Sequence, residues 1–234
     1  QDRSGEQEGR VWVDTAADCA GALLAACAQM GGGVVHSVAE HHAIRARLPL
    51  ASLETLAARA DVRFLEPAVQ GTTNTGSVTS AGDVTHRAAA ARTAFGLTGA
   101  GINIGVLSDS VDFLANAQAS MDLGAVTVLA GQSGVNTCGP TGTSACTGEG
   151  TAMLEILADL APGAGLFFAT GNGGPANMAA NIVALQAAGC TIIVDDVTYF
   201  SESPFQDGPI AQAVNTVAAA GVMYFSAARI AGNQ

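Results

Sequence analysis

From Gly99 onward, short and continuously apolar runs alternate with stretches of helical character, and this alternation constrains the fold more than any other feature. The runs are Ile102–Leu107, Val126–Leu129, Leu166–Thr170, Ile192–Val194 and Val222–Phe225. Between them, helices are predicted over Phe113–Ser120, Glu149–Leu160, Ala176–Ala188 and Pro209–Ala220. A strand with no polar alternation needs cover on both faces, and helical crossovers connect parallel neighbours. Residues 98–234 are therefore expected to form a three-layer α/β/α unit around a largely parallel sheet of the doubly wound kind.

Residues 11–67 have a different order. A strand at Val11–Asp14 leads to an apolar helix at Asp18–Met30, which the glycines at 31–33 should end. Strands come next at Val34–Ala39 and Ala43–Leu48; in the second, Ile44, Ala46 and Leu48 alternate with Arg45 and Arg47. Pro49 opens a helix with Leu50, Leu53, Leu56 and Ala57 at helical spacing, and Val62–Leu65 closes the unit. The βαββαβ order predicts a small α+β, ferredoxin-like domain. His36, His41 and His42 lie on or near its strand–turn–strand, where surface or packing roles are expected rather than metal ligation. Residues 68–97 join the two units: Gln70–Ala81 is rich in Thr, Ser, Gly and Asn, as a linker is, and a helix capped by Asp83 is expected over Asp83–Phe95.

Among 234 residues, 9 are basic and 20 acidic, a net charge of −11, and lysine is absent. That balance argues against nucleic acid or an anionic membrane as partner, since phosphate contacts need clustered Lys and Arg. The longest apolar run, Ala16–Met30, is interrupted by Asp18 and Gln29 and is short for a membrane span. The chain begins at Gln1 and stops within a pattern, so it is read as a piece of a longer precursor, and a missing signal peptide carries no weight. Cys138 and Cys146 flank a Gly/Pro/Thr/Ser loop whose length would allow a disulfide worth roughly 2–3 kcal/mol. The pair also resembles a metal clip, but no His or further Cys lies nearby in sequence to complete four ligands. A disulfide is expected, and with it an oxidising compartment. Cys19, Cys27 and Cys190 are expected to be buried small hydrophobes.

In open parallel sheets, sites form at the carboxyl ends of strands. Asp109 comes after the first strand in LSDSVD, Asp195 and Asp196 after another in IIVDDVTYF, and Asn233 lies beyond the last in YFSAARIAGNQ. Glu149 opens a helix directly after the Cys loop, in TGEGTAMLEILADLAPGA. A nucleotide site is disfavoured: Gly99, Gly101 and Gly105 are not spaced as GxGxxG, and there is no lysine for a phosphate loop.

These segments resemble the subtilases in order and spacing. GAGINIGVLSDSVD is similar to the strand carrying their catalytic Asp, and EGTAMLEILADLAPGAGLFFAT to their His-Gly-Thr helix with the strand after it. TIIVDDVTYF resembles the strand that lines the substrate cleft, YFSAARIAGNQ the one ending in the oxyanion-hole Asn, and residues 11–67 the βαββαβ propeptide. The resemblance implies a subtilisin-like fold, a serine-type endopeptidase acting on polypeptide, and an intramolecular propeptide partner. It implies catalytic roles for Asp109 and Glu149, oxyanion and cleft roles for Asn233 and Asp196, and a secreted or periplasmic location. No cofactor is evident, although calcium accords with the resemblance without a nameable ligand loop.

The departures from the family pattern are equally specific. Glu149 stands where the catalytic His is expected, and no histidine comes after His86, so a Ser–His–Asp relay is incomplete. Sedolisins, of the same superfamily, use a carboxylate base, but the partner four residues along the helix would here be Met153. Glu155 and Asp159 share one helix face and are expected to form a solvated edge. The family's Gly-Thr-Ser-x-Ala nucleophile segment lies after the oxyanion Asn. Gly142-Thr143-Ser144-Ala145 has the letters but precedes Glu149, so it is read as coincidence. Arg229-Ile230-Ala231 interrupts the usual Ala-Ala-Gly-Asn run. The segment by itself is expected to be inactive, and its parent to be a peptidase with an acidic optimum. Asp109 would raise one pKa of its pair with Glu149, while the helix N-terminus favours the anion. The second reading is a non-catalytic subtilase-fold protein that uses Asp109, Glu149 and Asp196 as an acidic cleft for peptide or a cation.

Overall fold

The computed structural model describes residues 9–17, 20–68, 81–138, 146–203 and 205–227. The first sheet comprises β1 (Arg10–Ala17), β2 (Gly33–Val38), β3 (Ala43–Pro49) and β4 (Val62–Pro67), with helix α1 (Ala20–Gln29) after β1 and α2 (Leu53–Ala57) after β3. Its strand order is β2-β3-β1-β4, antiparallel throughout. Alternation along β3 places Ile44, Ala46 and Leu48 on one face, where they pack with Val13, Leu23, Cys27 and Leu56. The opposite face carries Arg45, which is only 5% exposed although it is charged. Register sets Arg45 opposite Asp14 on β1, and the two form a bidentate ion pair at 2.7 and 2.6 Å.

The helix expected over Asp83–Phe95 is instead two short ones, α3 (Gly82–Thr85) and α4 (Ala88–Phe95). The break falls at Arg87, whose φ of 55° is left-handed. It brings the Asp83 carboxylate onto Arg92 at 2.6 and 3.0 Å, and Arg92 also donates to the Leu160 carbonyl at 3.0 Å. An ion pair and a helix-end carbonyl thus outweigh the helical preference of the intervening alanines.

The second sheet comprises β5 (Asn103–Ser108), β6 (Val126–Val128), β7 (Gly165–Thr170), β8 (Ile192–Asp195) and β9 (Met223–Ser226), in the order β6-β7-β5-β8-β9. Every pairing in it is parallel. Four helices connect or flank the strands: α5 (Leu114–Ala119), α6 (Glu149–Leu160), α7 (Pro175–Ala187) and α8 (Pro209–Ala219). Residues of α7 and α8, among them Met178, Ile182, Leu185 and Val217, cover Leu107 and Ile193 on one side of the sheet. Ala117 of α5 and Leu154 of α6 cover Val106 and Phe168 on the other. This is the three-layer arrangement that the apolar runs require, with β5 central and its carboxyl end pointing at the start of α6.

Candidate active site

Asp109 lies directly after β5 and is 5% exposed. Its Oδ2 accepts from the Thr147 amide at 2.8 Å and the Thr147 hydroxyl at 2.6 Å. Its Oδ1 accepts from the Ser110 amide and, at 3.4 Å, from the Gly150 amide. Four donors match the lone-pair capacity of a carboxylate. Three of them belong to the approach and first turn of α6, so Asp109 seats that helix on the sheet edge. Gly150 is needed for this approach, because a Cβ there would run into the Phe168 ring and the Ser110 carbonyl. Glu149, the first residue of α6, is held beside this junction at 8% exposure.

Around Asp109 lies a polar lattice. Asp112 accepts from the Ser110 hydroxyl at 2.8 Å and the Cys146 amide at 3.0 Å, while the Thr151 hydroxyl donates to the Asp112 carbonyl at 2.8 Å. The Asp109 carbonyl accepts from Thr170 Oγ1 at 2.7 Å and from Asn172 Nδ2 at 3.2 Å. Asn177 reaches the Asn172 carbonyl at 2.7 Å, and Asn181 reaches both Gln132 and the Thr170 carbonyl. The Cys138–Cys146 disulfide is formed, with Cα atoms 5.0 Å apart, and its sulfurs lie within 4.8 Å of the Asp109 carboxylate.

Solved structures with a similar fold include the epidermin leader peptide processing serine protease of Staphylococcus aureus. Its mutant form shows 13% identity over 93% of this chain and a TM-score of 0.60. Its other structure gives 12% identity over 94% of this chain and a TM-score of 0.55. Fervidolysin from Fervidobacterium pennivorans, a keratinolytic enzyme related to subtilisin, gives 15% identity over 95% of this chain and a TM-score of 0.51. The fold is subtilisin-like. The chain spans 60% of the epidermin-processing protease and 40% of fervidolysin. No family profile and no curated protein matches the sequence.

Within the subtilisin-like fold, Asp109 and Glu149 share the junction of β5 and α6, whereas Asp195 and Asp196 stand at the end of the neighbouring β8. Asp195 is the last residue of β8 and only 3% exposed. It accepts from Ser226 Oγ at 2.9 Å and the Val197 amide at 3.3 Å, and burial pushes its carboxyl above the usual carboxylate range. The Tyr224 phenol nearby is pushed up by its own burial and by the Asp195 charge. Asp196 lies just past the strand and is half-buried, its amide donating to the Leu107 carbonyl at 3.4 Å. Asn233, Arg229-Ile230-Ala231 and Gly142-Thr143-Ser144-Ala145 lie outside the described residues. On α6, Met153 and Glu155 are half-buried and Asp159 is exposed. Partial burial, then Asp122 and Asp159, raises the Glu155 carboxyl.

The calcium that the resemblance allows finds no fit in the one cluster of three His, Cys, Asp or Glu donors among the described residues. Asp109 with two cystine sulfurs offers a hard cation a single oxygen, where calcium takes six to eight.

The outer face of the first sheet meets the starts of α7 and α8 across a cavity of about 330 Å³, lined by Asp14, His36, Arg45, Asn177 and Glu202 among others. Gly173 and Gly174 make the closest approach, with φ of 96° and 97°. A Cβ at Gly173 would strike the His36 ring, and one at Gly174 the Arg45 guanidinium. Tyr199 clamps the same loop, its hydroxyl donating to the Gly171 carbonyl at 2.7 Å and accepting from the Gly174 amide at 3.0 Å. Burial, then the Arg45 charge, holds the His36 pKa below its usual value. Thr147, Asn172 and Asn177 join the site although no sequence motif marks them. The only local signal is the Asn-Gly-Gly-Pro run at 172–175, a turn immediately after a buried strand.

Proposed function

We propose that this chain carries the propeptide-like domain and the amino-terminal half of the catalytic domain of a subtilisin-like serine peptidase in which Glu149 serves as the acid/base group. The observation that carries the reading is the place of Glu149: it opens α6 at the carboxyl edge of the parallel sheet, on a helix start that Asp109 seats through Thr147 and Gly150. A carboxylate there lies near the positive end of the helix dipole and can accept a nucleophile's proton, as an imidazole does in the usual relay. In this reading Asp109 is a positioning residue, the substrate is polypeptide, and residues 11–67 act as an intramolecular ligand of the α7–α8 surface. The parent protein is exported, consistent with the disulfide, and the reading requires a serine at a helix start past residue 234. The 234-residue segment alone is expected to release no peptide product.

One observation favours a second reading, a non-catalytic binding protein on the same fold. The Asp109 carboxylate already accepts four hydrogen bonds, so a further relay partner would have to displace one. Labelling of the full-length protein with a fluorophosphonate separates the two. Labelling that is lost when the downstream serine is replaced supports the peptidase, and a protein that folds but takes no label under acidic or neutral conditions supports the binding protein.

A further inference from the structure

The hydrogen bonds that seat α6 leave one polar atom behind. Ser108, the last residue of β5, is fully buried, and its hydroxyl has no hydrogen-bond partner among the described residues. A buried hydroxyl left in that state is unfavourable and uncommon in a folded chain, so it asks for an acceptor. Of the other hydroxyls around this junction, those of Ser110, Thr147, Thr151 and Thr170 are committed to Asp109 or Asp112. The Ser108 hydroxyl is not.

Strand parity sets the direction in which it faces. Ile104 and Val106 pack with Leu154 of α6 and with Phe168, whereas Leu107 packs with Met178 of α7 and Val217 of α8 on the other side. Side chains alternate along a strand, so Ser108 falls on the α6 face, two residues past Val106 toward the carboxyl edge. The first turn of α6 lies over that edge: a Cβ at Gly150 would enter the Phe168 ring and meet the Ser110 carbonyl, and the Gly150 amide reaches Asp109. Glu149 is one residue earlier on the same turn, and its Oε2 is buried.

We propose that Ser108 is a positioning residue whose hydroxyl donates to the Glu149 carboxylate, directly or through one water, and aims it for proton transfer. The role rests on Glu149 being the acid/base group; the contact itself does not. Asp109 is poorly placed for the task, because its carboxylate already accepts four hydrogen bonds. A neutral donor also suits a carboxylate base better than a second carboxylate, since like charges would hold one of the two protonated. Hydrogen bonds of this kind are often long in an unliganded site and tighten when substrate binds, so an open Ser108 hydroxyl fits a poised group.

The test is the ¹³C carboxyl titration of Glu149 in the chain, its resonance assigned through Glu149→Gln. A neutral donor favours the anion, so Ser108→Ala is expected to raise the Glu149 midpoint by at least about 0.5 pH unit. Ser108→Thr keeps the hydroxyl and is expected to move it by less than about 0.2. Should Ser108→Ala not fold, Ser108→Cys gives the same comparison with a weak thiol donor. Asp109 and Asp112, the other carboxylates at the junction, keep their own donors in these variants and serve as controls. In the full-length protein, Ser108→Ala is expected to lower kcat about tenfold with KM within about twofold, and to move the acid limb of the pH–rate profile upward. An unchanged midpoint in Ser108→Ala, an equal rise in Ser108→Thr, or an unchanged kcat where Glu149→Gln abolishes hydrolysis overturns the proposal. Hydrolysis that survives Glu149→Gln overturns the peptidase reading instead, and the titration then still decides the contact.

Discussion

Two aspartates end adjacent parallel strands of the same sheet, yet their surroundings supply them with different sets of hydrogen-bond donors. Asp109, after β5, is met by two groups of Thr147 and by the amides of Ser110 and Gly150. Asp195, at the end of β8, is as deeply buried but has Ser226 Oγ and the Val197 amide, and its carboxyl is pushed toward the protonated form. The difference comes from the segment that each strand leads into. After β5 the chain returns through a disulfide-closed loop to present a helix start, and helix starts carry unsatisfied amides. After β8 no helix begins at the strand end; β9 arrives instead and brings a hydroxyl. Burial is shared, and donor supply decides what each carboxylate does.

That contrast can be broken by substitution. Asp109→Ala leaves the buried Ser110 and Gly150 amides and the part-buried donors of Thr147 without their acceptor and is expected to cost about 4 kcal/mol in urea unfolding. A loss below about 1 kcal/mol would mean the Thr147 loop finds other partners and Asp109 is no anchor. Opening the disulfide removes a clip spanning eight residues of sequence separation, for which chain entropy predicts roughly 2.5 kcal/mol. A much smaller loss on reduction would indicate that the hydrogen bonds of Asp109 and Asp112 hold the loop without it.

Asp195 sharpens the contrast through the sign of its pH dependence. Its folded pKa is raised, so the folded state binds its proton more tightly than the unfolded chain does. Stability from this group is then fully present below the ordinary carboxylate pKa of about 3.9 and is lost as pH rises through the raised folded value. Asp195→Asn keeps a side-chain oxygen for Ser226 and removes the charge. At pH 7 the variant is expected to be more stable than wild type by about 1 kcal/mol or less, with the gain vanishing below about pH 4. A loss of stability at pH 7 that fades as the pH falls below about 4 would show that Asp195 works as a stabilised anion.

The layered architecture was legible because continuous apolar runs such as Leu166–Ala169 cannot be half-solvated strands. The helix at Glu149–Leu160 was legible to the residue, since a Gly-Glu-Gly start and a Leu-Ala-Pro-Gly end punctuate it. The break at Arg87 was not, because the Arg92 contacts with Asp83 and Leu160 that accompany it include a pairing 68 residues away in sequence. Nor was the burial of Arg45, whose alternation in β3 marks only the face it occupies and not what later covers that face. At β8 the apolar run stops at Val194, one residue before the strand does. This hides the distinction between Asp195, which shares the buried parity of Ile193, and Asp196 beyond it. The Asp109–Glu149 junction was legible as a place, but its wiring through Thr147 depends on a loop return that local pattern does not encode.

The central claim is that a carboxylate at the start of α6 does the work of the missing imidazole. The pH–rate profile of peptide hydrolysis by the full-length protein, measured for wild type and Glu149→Gln, tests it most directly. An optimum below neutrality, with a rate that falls at least 100-fold in the variant and the fold unchanged, is the predicted result. A profile that rises only above neutrality and is unaffected by Glu149→Gln would contradict it.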